Sequence, residues 1–295
     1  MNNLENVRRI GDWHTQTIAH GLNKPLLVRE TVVSAINKGL KQICFTDHYP
    51  LPPEFNDPTI ERDCSMPKAL YDGQYLVDVA SVQREYKKDI QVYYGAEFDW
   101  LPDYAERTRK QTQMRPYDYL IGSVHFLRDK TGTYWILDYN KEMFMQAVGA
   151  FGGIKNLVRS YYAEIRSMVN SNLFNGVGHL DLVKKYSDIS NPLFEEDAAW
   201  YIDEVLITLD EIAQSGMTME INTAGFQKNC KSTYPSPWIL RESKQKGIEL
   251  TIGSDGHDPE EIGRDLEKAI ELAKNVGYTA IQTYQNRKKL SVLLT

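Results

Sequence analysis

The chain has 295 residues, 42% of them hydrophobic and 25% charged, a length and balance that allow a full core and exclude a disordered or fibrous protein. Its 34 Lys and Arg face 40 Asp and Glu, a formal charge of −6, which argues against a surface built to neutralise the many phosphates of a nucleic acid. Cys44, Cys64 and Cys230 have neither CxxC spacing nor an even count, and neither a signal-peptide core nor a membrane-spanning apolar run is present, so a cytoplasmic protein without disulfides is expected.

In chain order, short β-favouring runs alternate with longer amphipathic stretches. RRIGDW (8–13) opens the series. A helical pattern follows in KPLLVRETVVSAINKG, where Gly39 fits a C-terminal stop. QICFT (42–46) precedes a Pro-rich irregular loop over residues 49–70. After QVYYGAEF (91–98) and YDYLIGSV (117–124), FLRDKTGTYWILD (126–138) reads as a hairpin insertion turning at Lys130 to Gly132. NGVGH (175–179), MTMEIN (217–222) and ELTIGS (249–254) complete the runs. Before the last of them, SPWILRESKQKG places Ser236 and Pro237 at the cap and first turn of a helix. This alternation predicts parallel strands joined by helical crossovers, and seven such units favour a closed or nearly closed (β/α) barrel over an open doubly wound sheet. With no repeat, low-complexity tract or long linker, a single domain over 1–295 is expected.

The six histidines are few enough to place one by one. His14 follows the first run, and His20 lies in the loop leaving it. His48 follows the second run, Glu97 ends the third, His125 follows the fourth, and His179 closes the fifth. Asn222 ends the sixth, and Asp255 and His257 follow the last. In a barrel those carboxyl ends converge on the face where active sites are built. Taken singly, each residue is more often a cap or a satisfied polar group than a ligand. Together they suit divalent metals, because imidazole favours zinc, iron or manganese and carboxylates bridge ions. A serine elbow and the glycine-rich phosphate loops are absent from the sequence.

The ordered motifs DWH (12–14), FTDH (45–48), GAEFD (95–99), GSVHF (122–126), GHLD (178–181), EINTAG (220–225) and GSDGH (253–257) resemble the polymerase and histidinol phosphatase (PHP) superfamily. The segments GSVHFL and YPLPPEF give the resemblance the flavour of its bacterial histidinol-phosphatase branch. It implies a distorted (β/α)7 barrel with three divalent ions, zinc, manganese or iron, and hydrolysis of L-histidinol phosphate by a hydroxide held between ions. Carried over by position, one site takes His14, Gln16, Glu97 and Asp255. A second takes Glu97 as a bridge with His125 and His179, and a third takes His20, His48 and His257. Glu97, His125, Asp255 and His257 become the expected catalytic residues. Gln16 departs from the family's usual HxH pattern; its neutral amide predicts weaker binding at the first site, or a preference for manganese or iron.

For the substrate, Arg159, Lys185 and Lys228 are candidate phosphate cations, Asn222 a polar wall residue, and Glu54 a partner for the amine. For each alone, a solvated surface charge is the commoner explanation. Asp12 and Asp47 either orient ligating rings or hold turns. Trp100 and Trp135, near Glu97 and the insertion, are the aromatic residues of interest. A small phosphate ester is the expected partner, with no nucleic acid and no membrane; the oligomeric state stays open. Three divalent ions would offset the −6 charge, so the acidic balance does not oppose an anionic substrate. The alternatives are a phosphoesterase for another small ester and a metal-binding barrel that has lost its chemistry through Gln16.

Overall fold

The sequence places Val7 and Ile10 three residues apart, a helical period, and helix α1 (Asn3–Ile10) buries them together with Asn6. The strand expected from residue 8 therefore begins only at Asp12. The chain turns at Gly11, φ +74, where a Cβ would lie 2.0 Å from the Gln42 carbonyl oxygen. This computed structural model describes residues 3–17, 27–55, 68 and 71–295; His20, Cys64 and much of the Pro-rich loop lie outside the described residues.

From that turn the chain runs through β1 (Asp12–Thr15), α2 (Val28–Asn37), β2 (Gln42–Phe45), α3 (Leu76–Glu85), β3 (Gln91–Asp99), α4 (Ala105–Gln111) and β4 (Tyr119–Ser123). The hairpin β5 (Phe126–Arg128) and β6 (Tyr134–Ile136) precedes α5 (Lys141–Ala150), α6 (Ile154–Asn170), β7 (Gly176–Val177) and α7 (Ala199–Ser215). The last crossovers are β8 (Thr218–Asn222), α8 (Pro237–Gln245), β9 (Leu250–Gly253) and α9 (Leu266–Val276), followed by β10 (Ala280–Gln285) and β11 (Lys288–Leu293). No helix among the described residues is long and apolar enough to cross a membrane.

Seven strands form one parallel sheet in the order β1-β2-β3-β4-β7-β8-β9. Buried residues such as Leu120, Ile121, Met219, Ile221, Leu250 and Ile252 fill them, as a parallel sheet covered on its outer face requires. The exit of β9 returns to β1: Asp255 N–H donates to the His14 carbonyl at 2.8 Å and Gln16 N–H to that of Gly256 at 2.9 Å. The sheet is thus a nearly closed (β/α)7 barrel.

Two helix ends match their sequence signals unequally. Gly39, φ +78, follows the end of α2 in the left-handed region. Pro237 opens α8, but Ser236 caps nothing with its side chain; its hydroxyl accepts instead from the buried Lys184 ammonium.

Both ends of the barrel are furnished by hairpins. The expected β5–β6 insertion stands at the carboxyl end on a small apolar cluster of Phe55, Leu101, Phe126 and Ile136, separate from the main core. The hairpin β10–β11, which the sequence reading does not anticipate, turns at Asn286 and Arg287, both left-handed. Its Tyr284 stacks on Tyr119 with centroids 4.7 Å apart and bonds Thr218 Oγ1 at 3.0 Å and the Asn175 carbonyl at 3.1 Å. These partners sit where β4, β8 and β7 begin, so the hairpin plugs the end opposite the polar cluster.

Candidate metal centre

Glu97 lies near the end of the longest strand, β3, and is buried. Its Oε2 is 3.2 Å from His14 Nε2, 3.4 Å from His48 Nδ1 and 3.1 Å from Gln16 Nε2. Its Oε1 is 2.9 Å from His179 Nε2 and 3.6 Å from His125 Nε2. Asp255 Oδ1 approaches His14 Nε2 at 3.5 Å, and His257 Nδ1 bonds the Asp255 carbonyl at 3.0 Å. The strand ends thus bring together every sequence-expected ligand among the described residues.

The reverse faces of two rings are held by carboxylates to which the sequence reading gave no role. Glu220 Oε1 lies 2.7 Å from His14 Nδ1, and Asp99 Oδ1 lies 2.7 Å from His125 Nδ1. A carboxylate there makes Nδ1 the donor and leaves Nε2 as the lone-pair nitrogen of each neutral ring. Gly253 makes room for the first pair, since a Cβ would fall 2.3 Å from His14 Cβ and 2.5 Å from Glu220 Oε1. Asp12 and Asp47, the alternatives for this task, hold backbone instead. Asp12 accepts from the N–H groups of Ser254 at 2.9 Å and Gly263 at 2.7 Å, and Asp47 from Thr17 N–H at 2.7 Å and the Tyr75 hydroxyl at 2.8 Å. His179 and Asp255 have positive φ, 21° and 52°, a backbone form that non-glycine residues adopt mainly where surrounding structure enforces it.

The donor set fits cations. His125 Nε2 and His179 Nε2 face each other at 3.2 Å, both close to Glu97 Oε1, and buried His179 Nδ1 has no hydrogen-bond partner among the described residues. Convergent lone pairs repel unless protons or a metal ion join them. Three overlapping groups have ligand atoms within 4.8 Å of one another: His14, Glu97 and Asp255; Glu97, His125 and His179; and His48, Asp99 and His125. Two of these repeat the first two expected sites, without Gln16. In the third, Asp99 and His125 accompany His48, whereas the expected partner His20 lies outside the described residues.

Without ions, charge is spread over the cluster in alternation. Burial would raise the Glu97 carboxyl, but the rings of His48 and His14 hold it well below the usual carboxylate range. Burial disfavours charge on His14, yet Glu220, Asp255 and Glu97 raise its pKa well above that of an ordinary histidine. For His125 burial likewise opposes charge, and Asp138 with Asp99 outweighs it, lifting the ring to about 9.

The cluster floors a cavity of about 610 Å³, within the ~300–1,000 Å³ of small-molecule sites. Of the expected substrate residues, Lys185 and Lys228 line it; Lys185 Nζ donates to the Asp138 carbonyl at 2.6 Å. Arg264, unmarked by any strand-end rule, joins them and pairs with Glu261 at 2.8 Å. Asn222 is buried behind the cluster, donating to Glu220 Oε2 at 3.1 Å and Asp255 Oδ2 at 3.2 Å. The structure does not bring Glu54 or Arg159 to this cavity. Glu54 is exposed and paired with Arg107 at 2.9 Å, and Arg159 on α6 is paired with Glu204 at 3.5 Å. Trp100 and Trp135 also lie outside the lining, donating to Ser167 and Asp129.

The barrel and its polar floor define a metal-site fold, and comparison with known proteins names it. The PHP domain model matches residues 12–224, and the chain belongs to that family. The histidinol-phosphatase of Bacillus subtilis is 32% identical over 271 residues, which cover 90% of this chain and 98% of the relative. A relative from Deinococcus radiodurans, to which the same activity is ascribed, is 31% identical over 276 residues, 93% of this chain and 95% of its own. In three dimensions the chain resembles the histidinol phosphate phosphatase of Lactococcus lactis, solved with zinc, L-histidinol and phosphate. The TM-score is 0.73 at 22% identity, over 95% of this chain and 98% of that one.

Proposed function

We propose that this chain, as one metal-dependent phosphoesterase domain over residues 1–295, hydrolyses L-histidinol phosphate to L-histidinol and inorganic phosphate. The observation that carries the reading is the Glu97-centred cluster, with imidazole nitrogens and carboxylate oxygens converging beneath a cavity walled by Lys185, Lys228 and Arg264. Kinship with the B. subtilis enzyme supports the substrate.

His14, Glu97 and Asp255 would hold one divalent ion, Glu97, His125 and His179 a second, and His48 would contribute to a third. Bound ions of this kind neutralise phosphoryl oxygens and bring the pKa of a water toward neutrality. Glu220 and Asp99 fix the two rings whose Nε2 atoms point at Glu97. Lys185, Lys228 and Arg264 offer cationic donors to a phosphate. Asp138 and Glu261, on the same lining, offer carboxylates to a substrate ammonium, and Tyr139 and Tyr186 offer flat faces to its imidazole. A cytoplasmic location belongs to the same reading, supported by the thiols of Cys44 and Cys230, both free.

Phosphate release from L-histidinol phosphate, measured with and without added divalent metal against a panel of other phosphate monoesters, tests the proposal. Activity should require metal, favour histidinol phosphate and fall by orders of magnitude in Glu97→Ala and His125→Ala. Unchanged turnover in those variants would overturn it.

A further inference from the structure

Gln16 stands one residue past β1, buried against Glu97 in the position of an expected ligand. Its Nε2 lies 3.1 Å from Glu97 Oε2, and its Oε1 accepts the backbone N–H of His48 at 3.1 Å. The two contacts fix the amide's orientation without ambiguity. A backbone N–H can only donate, so the atom facing it is the carbonyl oxygen. An ionised carboxylate can only accept, so the atom facing it is the NH2 group. Exchanging nitrogen and oxygen would set donor against donor and acceptor against acceptor at once.

An amide nitrogen has no lone pair for a cation, and the amide oxygen is committed to His48. We infer that Gln16 is not a metal ligand but a positioning residue, which donates to the same Glu97 oxygen that His14 Nε2 and His48 Nδ1 approach at 3.2 and 3.4 Å. The inference rests on the metal-centre reading above. It leaves the His14, Glu97 and Asp255 group with three protein donors, so that an ion there keeps at least one coordination place open to water or to a phosphoryl oxygen. It also gives the amide a task at this position: donating to the shared carboxylate of Glu97.

Amide hydrogen exchange at His48 in the full chain, with and without saturating Zn2+, reads the amide directly and needs no variant. If Gln16 keeps its oxygen on His48, protection is retained or increased on zinc loading. A tenfold or larger loss of protection would show the oxygen leaving for the metal and overturn the inference. In parallel, zinc per chain is counted by elemental analysis at saturating buffered Zn2+. Gln16→Leu should hold as many ions as the unaltered chain, even where affinity falls by the ~10-fold typical of a lost supporting hydrogen bond. One ion fewer would make Gln16 a ligand after all. Gln16→His, which brings a fourth donor to the group, should tighten one binding step about tenfold or more, on the scale by which single changes around a metal site alter affinity. No tightening would mean that position 16 does not face a vacant coordination place. An unaltered chain that binds no zinc would remove the metal centre itself, a result separable from any loss confined to the variants.

Discussion

Glu220 holds His14 across the barrel, with Oε1 2.7 Å from the ring's Nδ1, while its other oxygen accepts the backbone N–H of His179 at 2.9 Å. One buried carboxylate therefore sets the ring of one candidate ligand and the main chain of another. Its own strand, β8, supplies none of the three donor groups.

Glu220→Gln keeps size and one acceptor but turns an NH2 group toward either His14 Nδ1–H or the His179 N–H. Metal affinity should fall by about 10–100-fold, the usual effect of losing a carboxylate behind a ligating histidine. Activity titrated against free metal should shift to higher concentration, with turnover recovered in part at saturation. Identical curves for variant and parent would remove Glu220 from this role.

Gly253→Ala places a methyl group where His14 and Glu220 already sit, 2.3 and 2.5 Å from its ideal position. Overpacking of this kind should cost about 1–3 kcal/mol and weaken metal binding with it. Gly149→Ala is the control. That glycine lies in α5 with nothing within 4 Å of an added Cβ, so the change should be neutral or stabilise by roughly 0.5–1 kcal/mol. The thermal melt should fall in Gly253→Ala and hold or rise in Gly149→Ala; parallel drops would show that the space at Gly253 is not what the pair depends on.

Metal uptake should release protons. In the metal-free chain His125 keeps its proton up to about 9, and His14 is raised well above its ordinary value by Glu220, Asp255 and Glu97. A ring must give up its Nε2 proton to ligate, so affinity should rise as pH climbs from neutral through about 9. Calorimetry in two buffers of different ionisation enthalpy counts the protons; equal heats in both would contradict the prediction.

Away from the site, Glu164 on α6 is mostly buried, with Oε1 unpartnered among the described residues, and burial raises its carboxyl to about 7 despite the Trp100 indole nearby. In the unfolded chain the same group ionises near 4.5, so unfolded molecules lose the proton first as pH rises. Stability is unaffected by Glu164 below that value, declines as pH climbs from about 4.5 to 7, and stays lower above, by at most about 3.5 kcal/mol at ~1.4 kcal/mol per unit. Glu164→Gln should match the parent at pH 4 and exceed it at pH 8. Denaturation midpoints at the two pH values decide the matter, and an equal gap at both would count against it.

The five histidines among the described residues are legible in the sequence because a parallel barrel sends every strand's carboxyl end to one face, so position along the chain implies position in space. The supporting carboxylates lie within the same motifs. Asp99 lies two residues after Glu97, and Glu220 two before Asn222, so each shares a strand face with a residue already singled out. Which ring each would meet depended on the barrel's closure. Arg159 and Glu54 illustrate the opposite error. Long charged side chains outside strand ends find local partners, here Glu204 and Arg107, before they find a pocket. Val7 and Ile10 stand a helical period apart, so the first strand begins later than the β-favouring run from residue 8 suggests, and the closing hairpin is hard to read because residues 281–284 of β10 are all buried, without the alternation that marks a half-exposed strand.

The hairpin β5–β6 rests on its own apolar footing of Phe55, Leu101, Phe126 and Ile136, and the chain leaving it carries Asp138 and Tyr139 to the cavity rim, Tyr139 with 43% of its surface exposed. This stretch of the cavity rim is in this sense a module with its own footing. Its side chains can change without disturbing the packing of the seven strands that carry the Glu97-centred cluster.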